Sequence, residues 1–121
     1  MATPNLINVD TITPVVAVGA VTTSRADIVD VTDEYCAKIN SLIIANVDGT
    51  NAADITVEVS VDNGSNYVKI ANTISVPADS SLSLIGKDNG FYLDESDLLA
   101  VTASAADDLT YLVSYELMKD E

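Results

Sequence analysis

The chain has 121 residues, the length of one domain, and its 19 acidic residues against 5 basic ones give a net charge of −14. Phosphate-binding surfaces need clustered cations, so this charge excludes nucleic acid and anionic membranes as direct partners. The sequence has no histidine and one cysteine, which excludes Ser-His-Asp and Cys-His catalytic groups, histidine-ligated metal sites and an intrachain disulfide.

The start of the chain lacks a basic segment followed by an apolar run, which is the pattern of a secretory signal. The longest apolar run, residues 15–21, is too short to span a bilayer. We therefore expect a soluble chain that is made in the cytoplasm and that contains no membrane-spanning segment.

The domain organisation follows from composition along the chain. Residues 1–10 are polar and contain Pro4, which predicts an N-terminal arm with Leu6 and Ile7 as its apolar contact residues. We expect a single domain over residues 11–118 and a solvated C-terminal end over residues 119–121.

Short apolar runs separated by turn residues predict strands along the whole domain, and no segment shows a convincing helical period. Turn spacings of roughly 8–12 residues are typical of all-β sandwiches and barrels, and we expect an antiparallel, jelly-roll-like β-sandwich of about 8–10 strands. The predicted strands lie at residues 15–24, 28–31, 35–45, 55–61, 67–76, 81–85, 91–93, 98–104 and 109–117.

The predicted strand at residues 55–61 alternates strictly between apolar and polar side chains. A period of two places one face of a strand in a core and the other in water. Asp62-Asn63-Gly64 then predicts a hairpin turn, because Asn and Gly tolerate positive φ. The residues expected in the core are Ile55, Val57, Val59 and Val61, and those expected in water are Thr56, Glu58, Ser60 and Asp62.

The predicted strand at residues 35–45 is apolar on both faces. Ile39 and Ile43 share one face in a simple alternation, whereas Leu42 and Ile44 fall on the other. Such a strand is central in a sheet, or has one face in a core and one in a subunit interface. Leu42, Ile44 and Leu112 are therefore the interface candidates of the domain, with tighter core packing as the alternative.

Carboxylates are the remaining candidates for catalysis. A glycoside hydrolase would pair Asp97 with Asp107 or Asp108 across a cleft, and it would also need a raised pKa and aromatic platforms for a sugar. The chain is small and has no tryptophan. We therefore expect no catalytic residues, no enzymatic activity and no cofactor.

Two predicted turns offer several oxygen atoms to a calcium ion, one with Asp48 and Asp54 and one with Asp62. Neither turn has the ligand spacing of an EF-hand loop. Asp and Asn are also common in turns because their side chains bond to the nearby backbone. We expect no metal site, and these three residues are the calcium candidates.

The region from Ile39 to Met118, about two-thirds of the chain, resembles small virion proteins of tailed bacteriophages, especially those of cyanobacterial phages. The resemblance lies in the order of strand segments and in the residues of the turns between them, and residues 1–35 lie outside it. It depends on the segments IIANVDG, TVEVSV, IANTISVPADSSLSLI, GFYLDESDLLAVTASA and VSYEL.

This resemblance implies a non-enzymatic component of a virus particle. Its implied form is a capsid decoration or cement protein that binds the major capsid protein on the outer virion surface as a homo-oligomer, with a trimer favoured. An acidic surface fits the outer virion surface better than an inner location that faces packaged DNA. The alternatives are a neck or tail structural protein and a carbohydrate-binding fibre domain. The arm at residues 2–10 is a candidate for strand addition to a neighbour.

Overall fold

The computed structural model describes residues 9–86 and 88–120. This part of the chain forms β-strands joined by turns, as the alternating sequence predicts. The strands are β1 (Val9–Ala20), β2 (Ala26–Asp30), β3 (Tyr35–Asn46), β4 (Ala53–Ser60), β5 (Val68–Val76), β6 (Ser81–Ile85), β7 (Phe91–Leu93), β8 (Leu98–Ala103) and β9 (Leu109–Asp120).

The strands form two antiparallel sheets, which confirms the predicted β-sandwich. The first sheet has the order β1-β9-β3-β6, with β7 also paired to β3, and the second has the order β2-β8-β4-β5. The pairs are nested along the chain: β1 with β9, β2 with β8, β3 with both β6 and β7, and β4 with β5. A long hairpin rolled into two sheets has this nesting, which is that of a jelly roll.

The hydrophobic core lies between the two sheets. Ile39 of the first sheet and Ile55 and Leu99 of the second are fully buried in one continuous cluster. Burying an aliphatic side chain of this size stabilises the fold by roughly 1.5–3 kcal/mol. Val, Ile, Leu and Ala dominate this cluster, because the chain has few aromatic residues to offer.

A β-bulge in β3 decides which of its side chains enter the core. The register with β9 shifts between Ile39 and Ser41, which leaves Asn40 as an extra residue in the strand. An extra residue moves all later side chains to the opposite face. Leu42 and Ile44 are therefore fully buried in the core, and the expectation that they lie on an exposed interface is wrong.

The alternation of β4 also departs from the sequence prediction at its C-terminal end. Val61 lies beyond the strand and is 74% exposed, because the chain turns there. Glu58, expected in water, is buried beside Arg25 with 3.5 Å between the guanidinium Nη1 and the carboxylate Oε2. The Arg25 guanidinium in turn stacks 3.7 Å from the centroid of the Tyr67 ring.

Both ends of the domain extend further than the sequence predicts. β1 begins at Val9, so Val9 and Asp10 belong to a strand and not to an arm. At the other end, Lys119 continues β9 and lies opposite Thr11 of β1. Residues 1–8, with the predicted contact residues Leu6 and Ile7, lie outside the described residues, as does residue 121.

Gly90 lies where the chain passes close to β3, and we expect Gly90→Ala to lower the free energy of unfolding. An added Cβ would meet the backbone carbonyl oxygen of Ile39 at 2.6 Å, and backbone cannot move aside as a side chain can. Overpacking of this kind costs about 1–3 kcal/mol. Urea denaturation would measure the change.

Gly86→Ala is the matched control in the same loop. Its added Cβ would find its nearest neighbours at 3.9 Å, so we expect little change in stability. Equal stability of the two variants would contradict the close approach at Gly90.

Candidate interaction face

The outer face of the first sheet carries a row of apolar side chains across three neighbouring strands. Val18 of β1 lies opposite Leu112 of β9, and Leu112 lies opposite Ile43 of β3. The exposed fractions are 68% for Val18, 36% for Leu112 and 38% for Ile43. We call these three residues the apolar row. They line a shallow depression of about 480 Å³ together with Ala45 and Thr110.

The strands beneath the apolar row carry no charge over most of their length. Residues 11–20 of β1, 39–46 of β3 and 109–115 of β9 contain no Asp, Glu, Lys or Arg. The rest of the chain therefore carries the whole net charge of −14. An uncharged apolar face on a strongly acidic protein suits a partner that binds by burying apolar surface.

Sequence reasoning identified one of the three residues in this row. Leu112 is partly exposed, and its role as an interface residue stays a prediction. Simple alternation places Ile43 on the same face as the buried Ile39, because it does not include the bulge at Asn40. The signal for it was present, since Asn40-Ser41 places two polar residues in succession within an otherwise apolar strand.

A second apolar region lies at the mouth between the two sheets. This groove has a volume of about 280 Å³ and is open to solvent. Val61 and Tyr92 are among its most exposed side chains. The residues that line the groove are Val59, Val61, Val68, Ile70, Phe91, Tyr92, Leu93 and Asp97.

The calcium candidate Asp48 has its carboxylate occupied by its own turn. Its Oδ1 accepts hydrogen bonds from the backbone N–H of Thr50 at 2.8 Å and of Asn51 at 3.4 Å. These bonds, led by the one from Thr50, lower the pKa of Asp48. Asp54 lies at the start of β4, and its backbone N–H donates to the Ser104 hydroxyl at 2.8 Å.

The calcium candidate Asp62 lies just beyond the other end of β4, and its carboxylate also accepts hydrogen bonds within its own turn. Its Oδ2 accepts a hydrogen bond from the Asn66 side chain at 2.9 Å, and its Oδ1 accepts one from the Asn66 N–H at 2.9 Å. These bonds lower the pKa of Asp62. Across residues 9–86 and 88–120, no three His, Cys, Asp or Glu side chains converge as metal ligands would.

The carboxylates of the hypothetical hydrolase lie at opposite ends of β8. Asp97 directly precedes the strand, and Asp107 and Asp108 lie in the turn between β8 and β9. The six-residue strand between them has a length of about 20 Å. Hydrolytic carboxylate pairs lie within about 10 Å, so the structure does not bring Asp97 together with Asp107 or Asp108 as a hydrolase would require. Desolvation raises the pKa of Asp97. Desolvation and the neighbouring Asp48 carboxylate raise the pKa of Asp108.

The single cysteine, Cys36, is a buried free thiol in β3. Desolvation raises its pKa, and the carboxylates of Asp94 and Asp97 raise it further. A thiol with a raised pKa is a weak nucleophile, because the thiolate is the reactive form.

The described residues contain no helix long and apolar enough to cross a membrane.

No family model and no curated protein matches this chain. The fold is similar to that of a solved structure of Bacillus endospore appendages, described as a novel family of disulfide-linked pili. That likeness has a TM-score of 0.56 and 16% identity, and it covers 94% of this chain and 90% of that chain. A pentameric capsid protein isolated from metagenomic phage sequences matches with a TM-score of 0.38 and 17% identity, over 95% of this chain and 67% of that chain.

The first of these likenesses establishes a shared fold, since 16% identity says nothing about a shared activity. The second, with a TM-score of 0.38, adds nothing on function.

Proposed function

We propose that this chain is a non-enzymatic structural protein of a tailed-phage virion. Within that class, we propose a capsid decoration protein that binds the major capsid protein on the outer surface as an oligomer and stabilises the junctions between capsomers. The observation that carries this proposal is the apolar row on an uncharged sheet face. The resemblance of residues 39–118 to small phage virion proteins supports the choice of particle.

The apolar row has the properties that a capsid-binding face needs. Val18, Leu112 and Ile43 stand on three paired strands, so the face is held rigid before binding and little conformational entropy is lost on docking. Each square ångström of apolar surface that is covered contributes roughly 25 cal/mol. A decoration protein repeats this gain at every copy on the shell.

The charge distribution supports an outer location. Most acidic residues lie in the turns, and the strands of the apolar row hold acids only outside their uncharged stretches, at Asp10, Glu116 and Asp120. Acids in the turns stay hydrated when the uncharged face is covered. Packaged DNA would repel a surface of this charge. The same charge keeps a protein soluble at the high local concentration of a particle surface.

The first test is the copy number of the chain in purified particles, measured by quantitative mass spectrometry against the major capsid protein. We expect a copy number in fixed proportion to the capsid protein. A small number, as at a single vertex, would move the protein to the neck or tail. Absence from particles would refute the proposal.

The second test replaces the two residues of the apolar row that lie outside β1, Ile43 and Leu112. We expect the double variant Ile43→Thr with Leu112→Thr to bind capsids that lack the protein at least about tenfold more weakly than wild type, or about 1.4 kcal/mol. Threonine keeps the strand propensity and removes apolar surface. Pull-down with undecorated capsids would measure the loss.

The matched control replaces two exposed valines of the groove between the sheets, as Val61→Thr with Val68→Thr. Both valines are well exposed, so we expect capsid binding to stay at the wild-type level. Equal loss in both double variants would show that the apolar row is not the capsid-binding face.

A further inference from the structure

β1 is a long and regular sheet edge with no second strand partner within residues 9–86 and 88–120. Among the described residues it pairs with β9 alone. From Thr11 to Ala20 the register with β9 advances one residue at a time without a bulge. A strand edge of this kind presents a row of unpaired N–H and C=O groups, and natural proteins protect such edges with charges, bulges or short strands.

The direction of the free backbone groups follows from one hydrogen bond. The Val21 N–H donates to the Leu109 carbonyl oxygen at 2.9 Å, in the register of the β1–β9 pair. Backbone groups alternate between the two sides of a strand, so odd-numbered residues bond to β9 and even-numbered residues face the free edge. Pro14 is even-numbered, and its missing N–H costs no bond to β9. Val16, Val18 and Ala20 therefore present intact donors and acceptors to a partner.

The other edges of the two sheets are poorer templates for pairing. β2 spans five residues and contains Asp27 and Asp30. β5 contains Lys69, and its register with β4 shifts twice. β6 spans five residues and β7 three. β1 is thus the longest edge, and it is uncharged from Thr11 onward.

We propose that β1 pairs antiparallel with β1 of a second copy, about a twofold axis near Ala17. This axis places Val16 opposite Val18 of the second copy and keeps Pro14 away from the centre of the contact. Two chains that each carry a charge of −14 repel each other over most of their surface. The uncharged edge is where they approach at the lowest electrostatic cost, and it is complementary to itself in backbone hydrogen bonding.

The contact has a consequence for assembly that goes beyond the proposed function. It joins the first sheets of two copies into one continuous sheet, which places their two apolar rows side by side on a single surface. It is isologous and closes at two copies, so the basic unit is a dimer and not the trimer that the phage resemblance implies. The dimer forms whether or not the partner is a capsid.

The test is the mass of the full chain in solution, by native mass spectrometry and sedimentation velocity over a range of concentrations. We expect a monomer–dimer equilibrium that shifts toward dimer as salt is added, because salt screens the repulsion between the acidic chains. A monomer at every concentration, or a trimer, would overturn the proposal. Either result would leave the capsid copy number unaffected.

Two variants that carry the same new charge locate the contact. Val18→Lys places an ammonium at the proposed edge, and we expect it to be monomeric. Val61→Lys places it at the groove between the sheets, where the native valine is 74% exposed against 68% for Val18, and we expect it to remain dimeric. A dimer of undiminished strength in Val18→Lys would refute the contact. The variant Ile43→Thr with Leu112→Thr should also remain dimeric.

A cross-linking experiment tests the register without relying on a disruptive variant. In a Cys36→Ala background, Val16→Cys and Val18→Cys are prepared separately and then mixed. Since Val16 faces Val18 across the proposed axis, we expect the mixture to form the mixed disulfide in preference to either homodimeric disulfide. A random distribution among the mixed and the two homodimeric disulfides, or no disulfide at all, would overturn this register.

Discussion

Asn46→Asp should destabilise the fold by about 3–5 kcal/mol, although the two side chains have almost the same shape. The Asn46 side chain is buried at the end of β3, where its amide nitrogen donates to the carbonyl oxygens of Asn51 and Val76, each at 2.9 Å. Its amide oxygen accepts from the Asp48 N–H at 2.9 Å. An aspartate has no donor at neutral pH, so its carboxylate would face two carbonyl oxygens.

Urea denaturation at neutral pH and in acid would measure this effect. The buried carboxylate is disfavoured in its charged form, so its folded-state pKa is raised. The free energy of unfolding of the variant is therefore highest, as far as this group is concerned, below the unfolded-state pKa of about 3.9, where the carboxyl is protonated. It falls as the pH rises through the folded-state pKa. We expect the deficit of Asn46→Asp relative to wild type to shrink in acid, where a protonated carboxyl can donate one hydrogen bond.

Asn72→Asp is the control, since it adds the same charge at an exposed position of β5. We expect it to change the free energy of unfolding by less than about 0.5 kcal/mol. If Asn46→Asp were no worse than this control, Asn46 would not connect the end of β3 to the loop at Asn51 and the end of β5.

Local patterns were sufficient to predict most of the strands. The bounds of β6 and β7 agree with the prediction, because each short run is enclosed by turn residues such as Pro77 and Gly90. The main errors occur where a hydrogen bond or an extra residue breaks a period. At the end of β4, Ser60 is buried and its hydroxyl donates to Asp62 Oδ1 at 2.8 Å. This short-range bond turns the chain and leaves Val61 in solvent.

The interaction face could not be predicted because its members are far apart in the sequence. Val18, Ile43 and Leu112 become neighbours only through the pairing of β1, β9 and β3. The uncharged stretches are visible in the sequence, whereas their adjacency is a property of the topology. A free edge is likewise visible only when the partners of every strand are known.

Leu42→Ala and Ile43→Ala form the sharpest test of the bulge in β3, since two adjacent residues should differ severalfold in their effect. Leu42 is fully buried and Ile43 is 38% exposed. Truncation of a buried leucine costs about 2–5 kcal/mol. We expect Ile43→Ala to cost less than about 1.5 kcal/mol, because solvent already reaches its side chain and little cavity is left.

Thermal and urea denaturation of the two variants would measure the difference, and the sign of the difference decides between two conformations of β3. Simple alternation through Ile39 would place Ile43 in the core and Leu42 outside, so it predicts the reverse order of stabilities. The bulge at Asn40 predicts that Leu42→Ala is the more damaging variant. A larger loss for Ile43→Ala would therefore place Ile43 inside the sandwich and remove β3 from the apolar row.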